Sequence, residues 1–214
     1  MMLVNEVIIP LSTAILITAF YVQGQAFISS MIRGQAFQSV LLAIISLIMG
    51  YLTGSYDYLA LAVLIILMRA FLVTYLLERK MGEEKSQVQE SRVNVAYLFL
   101  LSLIFIVISV FIVYSISFSH IGLRTIEAGP DVLVFPITLF FQGLFLIGSR
   151  RNTFAQIIGY VEEENAIVLL AVFLIPIPFL VEASAFLDVL ALVVISSLVV
   201  EVKQDHTRIE ELRG

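Results

Sequence analysis

Apolar residues gather in seven runs along the chain, at roughly 4–30, 35–54, 57–78, 93–118, 131–148, 153–175 and 181–200, parted by short polar or turn-forming stretches. A helix needs about 20 mostly apolar residues to cross the hydrocarbon core of a bilayer, and each run reaches or approaches that length. The pattern predicts an all-α, polytopic membrane protein with seven transmembrane helices. Two connections are long. MGEEKSQVQESR (81–92) is a charged linker, and SHIGLRTIEAGPD (119–131) carries turn residues and a Gly-Pro break. Pro176 and Pro178 close the sixth run and force a turn before the seventh.

Seven helices alternate sides, so the basic residues test the count. One side gathers Arg33, Arg79, Lys80, Lys85, Arg92, Arg150, Arg151, Lys203, Arg208 and Arg213, whereas the other receives Arg124 alone, and Arg69 falls inside the third run. This partition follows the positive-inside bias and predicts the N-terminus outside and the C-terminus in the cytoplasm. Adding or deleting one helix would scramble it. The opening segment MMLVNEVIIPLSTAILITAF has the apolarity of a secretory signal. It carries Glu6, no Lys or Arg before Arg33, and no clear small-residue cleavage site, so it is expected to be a first membrane helix.

Composition agrees with this picture. Of 214 residues, 60% are hydrophobic and 14% charged, with a mean hydropathy of +1.04, against about 45–50% and 25% in soluble domains. The net charge of −5 adds little, because the charges are clustered. There is no basic groove for nucleic acid. The absence of cysteine excludes disulfides, thiolate zinc sites and iron–sulfur ligation by this chain. His120 and His206 stand far apart in predicted polar connections, which argues against a metal site.

Charges inside the runs carry the candidate chemistry, since an ionisable group at the centre of a membrane helix costs about 2.5–3.5 kcal/mol on insertion scales. Arg69 is the thirteenth residue of its run, about 18 Å in at 1.5 Å per residue. Glu162, Glu163 and Glu164 lie near the middle of the sixth run, and Asp188 lies roughly 10 Å from the outer end of the seventh. An exposed loop at the glutamates would leave FAQIIGYV and AIVLLAVFLIP too short to span and would spoil the charge partition. In a helix the trio covers about 200° of the circumference. At least one glutamate, Glu164 foremost, is then expected in a polar interior, with Glu162 or Glu163 meeting water or a neighbouring subunit. Asp188 could be a packing carboxylate bonded to hydroxyls, and Arg69 a structural counter-ion. Glu182 is expected at the interface. Balanced acids and a base suit a proton relay, whereas no Ser/His/Asp set, P-loop or GxGxxG accompanies them. A parallel repeat is also suggested: RGQAFQSV (33–40) precedes Arg69 much as RNTFAQII (151–158) precedes Asp188.

The stretch GLFLIGSRRNTFAQIIGYVEEEN, from Gly143 to Asn165, and LVEASAFLD (180–188) resemble the hydrogenase-4 component E family, a membrane subunit of formate hydrogenlyase-type group 4 nickel–iron hydrogenases. The likeness covers nearly the whole chain. Its Arg-Asn, Gln-Ile, Gly-Tyr and Glu-Asn pattern falls on this sequence with Glu164-Asn165 as the Glu-Asn pair, and Asp188 as the buried acid. In the first half Gln38-Ser39 matches, and Arg69 stands where the family can have a lysine. The last three helices also look like subunit K of respiratory complex I, with Asp188 at the acid of its third helix. At the second-helix acid of that subunit this chain has Val161, followed by Glu162 to Glu164, so the likeness leaves open which glutamate takes that role.

The resemblance implies an integral subunit of a complex I-like oxidoreductase, in the prokaryotic cell membrane, with Glu164, Asp188 and Arg69, and less centrally Glu163 and Glu162, on a path for protons or Na⁺. It implies no catalytic centre, metal or cofactor in this chain. Nickel–iron and iron–sulfur centres would belong to hydrophilic partner subunits, beside antiporter-like and complex I-like membrane partners. The expected regions are a four-helix part (1–118), an extracytoplasmic loop (119–130), a three-helix subunit K-like part (131–200) and a cytoplasmic tail (201–214). A stand-alone cation/proton antiporter and a purely structural membrane anchor are the alternatives.

Overall fold

The computed structural model describes residues 2–81, 95–115, 130–174, 183–186, 188–189 and 193. Among these the chain is helical, with no strands. Helix α1 is Met2–Gly24 and α2 is Ile28–Thr53. Helix α3 runs from Tyr56 to Lys80, with a π-helical stretch at Ile66–Val73 inside it. Helix α4 is Val95–Ser115. A 3₁₀ turn at Pro130–Leu133 leads into α5, Val134–Ser149, and α6 is Thr153–Leu174. Helices α1 to α4, and α5 with its 3₁₀ turn, are long and apolar enough to cross a membrane. The 22-residue α6 has the length but carries three carboxylates. Helices suit such a solvent because every backbone group is satisfied within the segment. Small hydroxyls follow the same rule: Ser46, Thr53 and Ser109 each donate to the carbonyl four residues back.

Local signals explain the turns. Gly54 ends α2 with a φ of +67°, the left-handed conformation that costs glycine least. Ser55 then caps α3, its hydroxyl accepting from the Asp57 amide at 3.3 Å. The first turn comes earlier than the apolar pattern suggests. That pattern carries the first run to residue 30, whereas α1 ends at Gly24 and FISSMIR joins α2, placing Arg33 in its second turn. The turn falls at Gln23, Gly24 and Gln25, and three residues inside a long apolar run weigh little in a hydropathy count, which reads composition and not chain direction.

Two apolar clusters hold the bundle, one towards each end. One gathers Val22 of α1, Ile28, Met31 and Ile32 of α2, Val73 and Leu77 of α3, Leu146 of α5, and the start of α6. The other gathers Ile8 and Ile15, Leu41 to Met49, Tyr58 to Ile65, Val113, Leu133, Leu139, and Ala166 to Phe173. Each successive helix therefore runs opposite to the one before it. The ends of α1 and α5 meet directly, since an Arg150 Nη2 donates to the Gln23 carbonyl. Helices α2 and α6 start from that shared end and run parallel, side by side. Arg33, Arg79, Lys80, Arg150 and Arg151 all belong to this end. Helix α4 is peripheral and buries only the narrow stripe Leu98, Ser102, Ser109 and Val113. Ser102 ties it to α5, donating to Gln142 Oε1 at 2.9 Å, while Gln142 Nε2 donates to the Ser102 carbonyl at 3.3 Å.

The long connections at 82–94 and 116–129, the Pro176–Pro178 turn, Glu182, both histidines, Arg124 and the tail lie outside the described residues. So does most of the seventh run, although 183–186, 188–189 and 193 are helical.

Candidate functional site

Between the two apolar clusters lies a polar layer. On α2 it comprises Gln35, Gln38 and Ser39, on α3 Arg69, on α6 Glu162, Glu164 and Asn165, and on the seventh segment Ser184 and Asp188, all buried. Arg69 is 0% exposed and Glu162, Glu164 and Asp188 are each 1% exposed, so the layer is sealed within the fold. The glutamates sit mid-helix in an unbroken α6, and the loop alternative falls away.

Arg69 organises the layer. Its Nε donates to Asp188 Oδ1 at 2.6 Å, Nη1 to Asn165 Oδ1 at 3.0 Å, and Nη2 to Ser184 Oγ at 3.4 Å. Ser184 and Asp188 are four residues apart, so one helical face presents both. The planar guanidinium fork thus reaches three side chains on two helices, an arrangement that a lysine ammonium would not reproduce. The π-helical stretch explains its aim. Leu61, Ile65, Arg69, Val73 and Leu77 are all buried and spaced by four. On a regular α-helix such a stripe drifts by about 40° per step. Wider i→i+5 turns at Ile66–Val73 offset the drift and hold Arg69 on the inner face. Thr74 Oγ1, just past this stretch, donates to the Arg69 carbonyl at 3.4 Å.

Asn165 links the helices. Its Nδ2 donates to Gln38 Oε1 at 3.0 Å and to Ser39 Oγ at 3.1 Å, and Gln35 Nε2 donates to Ser39 Oγ at 2.8 Å. Glu164 stands near Arg69, Asp188 and Tyr160, and Glu162 stands beside the Gln38 amide. Neither carboxylate completes a hydrogen bond by strict geometry. Arg69 and Asp188 match one charge each. Glu162 and Glu164 then add two negative charges to a buried layer unless they hold protons, because an unpaired buried charge is expensive.

The sequence-derived candidates divide accordingly. Arg69, Asp188 and Glu164 come together as expected. Glu162, which the sequence pointed towards water or another subunit, is buried against α2 instead, and Glu163 is half-buried with its backbone against Gly143 of α5. Asn165, named only as the partner of Glu164 in the Glu-Asn pair, joins the layer, and so do Ser184 and Gln35, which had not been singled out. For Gln35, Gln38 and Ser39 the signal was available, since polar residues at i, i+3 and i+4 inside an apolar helix mark a face turned towards other protein. The described residues contain no cluster of three metal-ligating acids, histidines or cysteines. What the layer offers is an ion pair, two further carboxyl groups and a set of amides.

No family model matches the chain, and no curated protein or solved structure matches it.

Proposed function

We propose that the chain is an integral membrane subunit of a complex I-like, membrane-bound oxidoreductase, of the group 4 hydrogenase or formate hydrogenlyase type. Its basic end faces the cytoplasm of a prokaryotic cell, and its polar layer forms part of a path for protons or Na⁺. The observation that carries this reading is the sealed Arg69–Asp188 pair with Glu164 beside it, at mid-depth between two apolar clusters. Charges in lipid are retained where they move charge. The Gly-Tyr and Glu-Asn stretch and the acid at Asp188 lend the resemblance to hydrogenase-4 component E. Redox centres belong to partner subunits, and this chain supplies positioned carboxyl groups and the guanidinium that balances them.

In this reading Glu164 exchanges the proton, and Arg69, held by Asp188, Asn165 and Ser184, sets the local field. The test uses the assembled complex. Glu164→Gln and Asp188→Asn variants that still co-purify with hydrophilic iron–sulfur subunits are assayed for redox-driven proton uptake in proteoliposomes. Uptake is expected to fall tenfold or more in each, with electron transfer retained. Unchanged uptake would assign the layer to a structural anchor, and transport by the chain without partners would assign it to a stand-alone antiporter.

A further inference from the structure

Glu162 is not in the Arg69 cluster, and it has its own surroundings. Gln35, Gln38 and Ser39 on α2 face Glu162 and Asn165 on α6. Three hydrogen bonds among them run in one sense. Gln35 Nε2 donates to Ser39 Oγ at 2.8 Å, Ser39 Oγ to Asn165 Oδ1 at 3.5 Å, and Asn165 Nδ2 to Gln38 Oε1 at 3.0 Å. The unmatched groups on these five residues are one donor, Gln38 Nε2, one amide acceptor, Gln35 Oε1, and the two Glu162 oxygens. Register brings them together. Asn165 meets Gln38 and Ser39, so on parallel helices Glu162, three residues earlier, stands level with Gln35 and beside Gln38.

A carboxylate accepts from Gln38 Nε2 but has nothing to donate to Gln35 Oε1. A carboxylic acid does both. We propose that Glu162 is a proton-binding site that, when protonated, closes a five-residue hydrogen-bond ring between α2 and α6. The ring runs from Glu162 O–H to Gln35, Ser39, Asn165 and Gln38, and back to the Glu162 carbonyl oxygen. One proton satisfies every unmatched group and removes one of the two surplus charges. Such closed polar networks rigidify a buried interface, whereas partly satisfied ones weaken it. Glu162 lies about 200° around α6 from Glu164, so it is a second site and not an alternative position for the first. Asn165 joins the two, because its Oδ1 also accepts from Arg69 Nη1 at 3.0 Å. Among the described residues, the titratable and charged groups around the ring are Arg69 from α3, Asp188 from the seventh segment, and Tyr160, Glu163 and Glu164 from α6. The buried faces of α2 and α5 contribute none.

The inference deepens the proton-path reading and rests on it for its place in turnover, but the proton itself is observable in the isolated full-length chain. Infrared spectra of the protein in lipid nanodiscs at neutral pH, without sodium, are expected to show a protonated carboxylic-acid carbonyl band that Glu162→Gln abolishes. Glu164→Gln leaves this band in place, and Gln35→Leu shifts it by removing the acceptor of the acid proton. Glu162→Gln, an isosteric neutral donor–acceptor, unfolds within a few degrees of the parent, whereas Glu162→Ala unfolds clearly lower. Retention of every acid band in Glu162→Gln would overturn the proposal, as would loss of the Glu162 band when Na⁺ is added at constant pH, which would assign a metal cation to the site. Failed proton uptake by the complex bears on the proposed function alone, since the band reports Glu162 whatever the complex does.

Discussion

Arg69 shows how one residue can hold a layer together. Fully buried, it spreads its guanidinium over Asp188, Asn165 and Ser184, and each partner loses a charge-assisted donor if it is removed. Truncating one member of a buried ion pair typically costs about 3–5 kcal/mol, because the partner charge is stranded. Arg69→Met is therefore expected to destabilise the folded chain by about that much in denaturation from nanodiscs. Arg69→Met combined with Asp188→Leu should recover most of the loss, since removing both charges removes the stranded one. If the double variant is no better than the single, desolvation of Asp188 is not the source of the cost. Arg69→Lys keeps the charge but loses the fork, and is expected to recover less than half of the loss.

At the scale of elements, the glutamates depend on how closely α6 lies against α5. Gly143 and Gly159 face each other across that contact. A Cβ on Gly143 would come within 2.7 Å of the Glu163 nitrogen and 2.8 Å of the Gly159 carbonyl, and one on Gly159 within 2.9 Å of the Gly143 carbonyl and the Ile147 nitrogen. Backbone lies on both sides, so the helices must part. Small residues permit this approach in membrane bundles. Gly143→Ala and Gly159→Ala are each expected to cost about 1–3 kcal/mol, the usual toll of overpacking, read as a lower midpoint in thermal unfolding. Gly148→Ala, where nothing lies within 4 Å of the added carbon, should be neutral or slightly stabilising. The same contact fixes which way α6 faces. With the Glu163 backbone against Gly143, Glu162 turns to α2 and Glu164 to Arg69. That division was not legible in three consecutive glutamates, whose spacing alone only forbids all three from sharing one face.

For the whole molecule, the testable statement is sidedness. The helices alternate in direction, and Arg33, Arg79, Lys80, Arg150 and Arg151 mark one end. The chain lacks cysteine, so single introduced thiols report cleanly. Tyr56→Cys, at the start of α3 just after the turn from α2, where the side chain is 84% exposed, is expected to react with a membrane-impermeant maleimide on intact cells. Ser149→Cys, at the basic end, should react only after permeabilisation. The reverse pattern would invert the topology and turn the Glu162 ring, which lies nearer the basic end, towards the exterior.

The sequence by itself determined that the chain is a set of apolar helices, that Arg69, Glu162 to Glu164 and Asp188 fall inside apolar runs, and that Arg33, Arg79, Lys80, Arg150 and Arg151 fall near the ends of such runs. Those properties are local: they follow from segment length, the cost of charge in hydrocarbon, and the rise per residue. Only the tertiary structure decided that Arg69 pairs with Asp188, 119 residues away, that Asn165 and Ser184 share the guanidinium, and that Glu162 turns inward to the amides of α2. Which face of a helix meets which neighbour is set by packing among segments remote in sequence, such as the glycine contact between α5 and α6 and the π-helical stretch of α3. A reading residue by residue contains the charges but not their partners.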